Sequence, residues 1–116
     1  MNTEKFAYLD VDVLYRERIA LNGEHLVSVH LDDVSRLDVL PRPIASQSLL
    51  TDQSVPFSFR LRFDPCMIDP RFTYRVSARI EHEGRLLYGT TVAHDVDLSQ
   101  RQTQPMTVIM QRINSN

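Results

Sequence analysis

The chain is poor in the residues on which many small proteins depend. A single cysteine, Cys66, among 116 residues excludes an intrachain disulfide and a cysteine-based zinc cluster. Tryptophan is absent and there are three glycines. Apart from Lys5, arginine carries all the positive side-chain charge. No run approaches the ~18 apolar residues of a membrane helix. With 24% charged residues and a net charge of −2, the chain has no basic footprint of a nucleic-acid binder. The first residues, MNTEKFAYLDVDV, lack the basic, apolar and cleavage regions of a secretory signal.

What the chain does have is strict alternation. Val55, Phe57, Phe59, Leu61 and Phe63 point one way and Ser58, Arg60 and Arg62 the other. Phe72, Tyr74, Val76, Ala78 and Ile80 repeat the pattern against Thr73, Arg75, Ser77, Arg79 and Glu81. A period of two over that length predicts half-buried antiparallel strands. Weaker alternation predicts further strands near 6–16, 26–34, 44–50, 85–94 and 106–112. Asn22-Gly23 and Glu83-Gly84 mark two of the turns. About seven short strands without a helical period predict one all-β domain over 1–116, an immunoglobulin-like antiparallel β-sandwich with 1–5 and 113–116 frayed. A chain of this length buries roughly two thirds of its unfolded surface, so one core suffices.

The run IDPRFTYRV sharpens the sandwich reading, with Ile68, Pro70, Tyr74 and Val76 in order. Sandwich domains use such a run to cross between sheets, a tyrosine hydroxyl bonding back to upstream backbone. Tyr74 is the candidate for that corner, with Pro70 and Ile68 beside it.

Four blocks carry a family likeness: YRERIAL (15–21), VHLDDVSRLDVLPRPIASQ (29–47), PFSFRLRFDPCMIDPRFTYRVSARI (56–80) and GRLLYGTT (84–91). In order and spacing they resemble the YbaY/YscW family of small bacterial envelope lipoproteins. The resemblance implies a β-sandwich with no known enzymatic activity, lipid-anchored in the periplasm. In the YscW branch it implies a pilotin, which binds an outer-membrane secretin of type III secretion and assists its assembly. The lipobox cysteine of that pattern is not seen in these residues, and neither is a lipid anchor; the location the resemblance implies is the bacterial periplasm or outer membrane if a leader has been trimmed, with the cytoplasm expected otherwise.

The site candidates are weighed against plainer readings. Arg60, Arg62, Arg75 and Arg79 fall on the outer faces of the two best strands. If those strands share a sheet, the arginines form a ladder that could dock an acidic partner. The plainer reading pairs them with Asp10, Asp12 or Glu81 across strands. His30, Asp32, Asp33 and Ser35 have the residue types of a triad but lie along one strand end with no glycine-rich elbow, so turn capping is favoured. Asp64 and Asp69 read as Asp-Pro turn residues and not as calcium ligands; Asp95 and Asp97 are not expected to bind metal either. His25, His30, His82 and His94 lack ligand spacing. Cys66 is expected to be passive and partly buried, and Arg16 and Glu17 to form a strand-end ion pair. No catalytic residue, metal or cofactor is expected. The function expected is a binding or assembly module of the bacterial envelope, pilotin-like, working by strand addition at a sheet edge or through the arginine face. The alternative is a soluble small-ligand-binding sandwich.

Overall fold

The computed structural model describes residues 6–17, 21–36 and 38–113. The expected fraying at 1–5 and, of 113–116, at 114–116 lies outside these residues, as does part of the YRERIAL block, while Ile113 instead donates its N–H to the Leu87 carbonyl at 2.9 Å. Among the described residues nine strands run in chain order: β1 (Ala7–Leu14), β2 (His25–Asp33), β3 (Arg42–Thr51), β4 (Phe57–Phe63), β5 (Tyr74–His82), β6 (Arg85–Gly89), β7 (His94–Val96), β8 (Met106–Ile109) and β9 (Gln111–Arg112). A 3-10 turn, Pro65–Met67, follows β4. The all-β sandwich expected from the alternation is what forms. One sheet has the order β4-β1-β8 and the other β3-β2-β5-β6-β9, with β7 also on β5.

Two predicted strands divide, which raises the count above seven. The sixth lies along β5 in two pieces, β6 against Arg79–His82 and β7 against Tyr74–Val76. Between them the Thr90 N–H donates to the Ala78 carbonyl at 3.1 Å. The last strand changes sheets at Met110. Before it, β8 pairs with β1; after it, β9 pairs with β6. The β1–β8 pair is parallel, which corrects the purely antiparallel expectation. One strand thus fastens both sheets.

The inner faces follow from the period of two. Leu9, Val11 and Val13 of β1 and Phe57, Phe59, Leu61 and Phe63 of β4 meet Val27, Val29 and Leu31 of β2 and Tyr74, Val76, Ala78 and Ile80 of β5. Burying each large aliphatic or Phe side chain is worth about 1.5–3 kcal/mol. Tyr15 and Tyr88 stack at 4.2 Å between centroids, and burial raises the pKa of both phenols. Phe72 departs from its predicted inward position: β5 begins two residues later, and Phe72 is held in a turn by its N–H to the Asp69 carbonyl. Its ring is 44% exposed.

Candidate functional site

The four arginines do not form one ladder. Arg60 and Arg62 are on β4 and Arg75 and Arg79 on β5, and those strands belong to different sheets, so their outer faces look in opposite directions. Most are already partnered. Arg60 donates to both oxygens of Asp10 at 2.8 and 3.4 Å, which holds the Asp10 carboxyl below its ordinary pKa. Arg75 donates to Asp95 at 2.6 Å. Arg79 lies 3.7 Å from Glu81. Arg62 sits over the Phe6 ring at 4.6 Å. Asp12 accepts instead from the Ser58 hydroxyl. Glu17 faces Arg112 at 3.9 Å, in place of the expected Arg16 pair.

Tyr74 is 3% exposed, and its hydroxyl accepts the Asp69 N–H at 2.9 Å. A tyrosine bonding five residues upstream is the geometry of a sandwich corner. Tyr74→Phe is expected to cost about 1–3 kcal/mol, because the Asp69 N–H loses its acceptor. The check is the urea midpoint, and an unchanged value excludes the role.

Asp69 is itself fixed by Arg71, whose side chain and backbone N–H both donate to it and bring its pKa down to about 2. Because the folded pKa lies below that of an ordinary aspartate, this group adds stability above the ordinary carboxylate range. That stability is lost as pH falls from about 4 through about 2. In a carboxyl NMR titration Asp69 is expected to protonate near 2, and Arg71→Gln to move it upward. A wild-type midpoint near 4 excludes the pairing in solution.

The triad-like residues act as a cap. The Ser35 hydroxyl donates to Asp33 at 2.6 Å and accepts the Thr73 N–H at 2.8 Å. Asp64 caps the 3-10 turn by accepting the Cys66 N–H. Cys66 is exposed, contrary to expectation, because that turn projects from the sandwich. His25 is buried, with its ring nitrogens 3.0 and 2.9 Å from the carbonyls of Gly23 and Gln53. No group of three or more His, Cys, Asp or Glu placed to hold a metal occurs among the described residues.

What the topology does gather is one end of the sandwich. Ala7 pairs with Phe63, Asp33 with both Arg42 and Tyr74, and Tyr74 with Val96. The loops after β2, β4 and β7 therefore emerge together. Together with Phe6, just before β1, they present Val39, Leu40, Met67 and Phe72 to solvent, Leu40 at 89% exposure. Three hollows run across this end. One of about 420 Å³ lies between Ala7, Leu9, Phe63 and the 96–102 segment. One of about 340 Å³ lies on the other side of that segment, against Ile68, Pro70 and Phe72. Phe72 also walls a third of about 530 Å³ with Val39, Leu40, Arg36 and Arg42.

The dividing loop is tied by side-chain hydrogen bonds. Asp97 accepts from the Ser99 N–H and hydroxyl, which lowers its pKa. The Gln102 side-chain amide takes the place of a neighbouring strand, accepting the Asp10 N–H at 2.8 Å and donating to the Asp10 carbonyl at 2.7 Å. Arg36, Arg42 and Arg101 rim the hollows without an ion-pair partner among the described residues. Sequence reasoning missed this end, although the loop SRLDVLPRP carries Val39-Leu40 beside a proline with no strand to bury them.

The end is apolar with charge of both signs, since Asp33, Asp95 and Asp97 line the three hollows along with Arg36, Arg42 and Arg101. The family model described as "Type III secretion system lipoprotein chaperone (YscW)" matches residues 4–110. The chain belongs to that family. Among curated proteins, this YscW-family chain is 29% identical over 85 residues to the uncharacterized lipoprotein YbaY of Escherichia coli strain K12, covering 72% of this chain. It spans 45% of the length of that relative. Among solved structures it is similar to an alternative pilotin from the type II secretion system of Vibrio cholerae, with TM-score 0.80 and 37% identity. That likeness covers 93% of this chain and 99% of the other. No helix among the described residues is long and apolar enough to cross a membrane.

Proposed function

We propose that this YscW-family domain is a non-enzymatic, pilotin-like chaperone that docks a segment of an outer-membrane secretin at the loop end of the sandwich. The observation that carries the reading is the 37% identity to a pilotin at TM-score 0.80 over 93% of the chain. The exposed Val39, Leu40 and Phe72 beside Arg36 and Arg42 support the location. They suit a segment with apolar anchors and acidic neighbours. Arg60, Arg62, Arg75 and Arg79 take a lesser part, since three of them already have a carboxylate in reach. Its place of work is the periplasmic side of the outer membrane. The small-ligand reading is weaker. A ligand pocket needs convergent polar groups, and His94 Nδ1, the one buried side-chain polar atom without a partner among the described residues, lines none of the three hollows.

The test is deletion of the gene in its native bacterium, followed by fractionation of secretin multimers between inner and outer membranes. Loss from the outer membrane is expected. Rescue is expected from wild type and from the Arg60/Arg62/Arg75/Arg79→Glu variant. An unaltered secretin distribution overturns the chaperone reading, and failure of the arginine variant moves the docking site to the arginine faces.

A further inference from the structure

The sandwich has one unguarded edge. The smaller sheet ends at β4 and β8 and the larger at β3 and β9. An edge strand with open backbone groups invites pairing, and natural edges are kept short or charged. Accordingly β8 and β9 have four and two residues, and β4 carries Arg60 and Arg62. By contrast β3 is ten residues long and pairs only with β2. After Arg42 and Pro43 it reads IASQSLLT, with no charge, proline or glycine. Most of its side chains are exposed, some even where they point inward, though Ile44 and Ala45 pack partly on the core. Leu49 shares the face of buried Val27 and is 42% exposed, while Leu50 on the outer face is 62% exposed.

The strand is also complementary to itself. In an antiparallel pair with a two-fold axis at Gln47, Ala45 stands opposite Leu49 of the second copy and Ser46 opposite Ser48. Inner faces then meet inner and outer meet outer, as the pleat requires. Arg42 and Asp52 lie equally far along the chain on either side of that axis. Each Arg42 therefore arrives near the Asp52 of the other copy, offset by the single extra residue of the bulge at Ile44. Arg42 has no ion-pair partner among the described residues, and exposed Asp52 accepts only from the Gln53 amide there. A register shifted by two residues puts Ser46 against Leu50 and Gln47 against Leu49, which matches polar with apolar. We propose that two copies of this chain pair through β3 about an axis at Gln47, joining their larger sheets into one. The occupant fits because a two-fold repeats every complementary pair.

The inference does not rest on the chaperone reading. Its test is sedimentation over a wide concentration range, combined with cysteine cross-linking in a Cys66→Ser background. Opposed residues in antiparallel strands have Cα atoms about 4.5–5.5 Å apart, within disulfide range. Gln47→Cys is expected to oxidise to a covalent dimer. Leu50→Cys, far from its own copy in this register, is expected to form no covalent dimer. Arg42→Glu or Asp52→Arg alone is expected to weaken self-association by about three- to tenfold, and the two together to restore it. A chain monomeric at every concentration overturns the proposal and leaves the edge for an extended segment of another protein. A dimer in which Gln47→Cys fails to cross-link, or in which the double reversal fails to restore pairing, overturns it as well.

Discussion

Leu40→Glu combined with Phe72→Glu is expected to abolish secretin binding while leaving the fold intact. Both side chains are exposed, Leu40 in the loop after β2 and Phe72 in the turn before β5, and both wall the 530 Å³ hollow. Exposed positions away from caps and cores change stability by about 0.5 kcal/mol or less. Apolar anchors at the centre of an interface instead contribute about 2–4 kcal/mol each, or about 30- to 1,000-fold in Kd. Glutamate adds a second loss, since a carboxylate taken out of water without a partner is costly. If the incoming segment is acidic, as Arg36 and Arg42 suggest, repulsion adds a third. Calorimetry with the secretin, with thermal melts of both proteins as control, reads the effect. Undiminished affinity in the variant places the site elsewhere.

Ile80→Ala is expected to be the most damaging single change to the fold among those considered. Ile80 is fully buried at the middle of the larger sheet, opposite Val27 of β2 and Tyr88 of β6. Its truncation leaves a cavity between the sheets and costs about 2–5 kcal/mol, against a total of about 5–15 kcal/mol for a domain. Leu50→Ala on the exposed edge strand removes a similar side chain and is expected to stay within about 0.5 kcal/mol. Urea unfolding with an unchanged slope separates the two. Equal midpoints would contradict the assignment of the core.

The alternation read β1, β2, β4 and β5 well because each has one face on the core, so a period of two reports burial directly. Val11, Phe59, Leu61, Val76 and Ile80 were all legible this way. A period of two does not say which strand lies beside which. Whether Arg60 and Arg75 share a face depends on sheet membership, and that is decided by pairings distant in sequence. Ser28 shows the same gap: it alternates as an outer residue yet is buried, with Ser48 bonded on one side and Arg79 opposite on the other. The break between β6 and β7 was hidden because Thr90 continues the backbone bonding to Ala78 while the chain leaves the ladder. Gln102 was illegible for a different reason. An amide that stands in for a strand has no periodic signature. Phe72 continued the inward pattern of its strand in the sequence, and the Asp69 turn removed it from that strand.

The claim most in need of a direct test is that the partner docks at the loop end. An amide NMR titration of the labelled domain with the detergent-solubilised secretin reports this residue by residue. The account predicts changes concentrated at Val39, Leu40, Phe72 and the 96–102 loop, with Leu86 and Val92, exposed apolar residues outside the three hollows, unmoved. Changes confined to the outer faces of β4 and β5, or no changes at all, would contradict it.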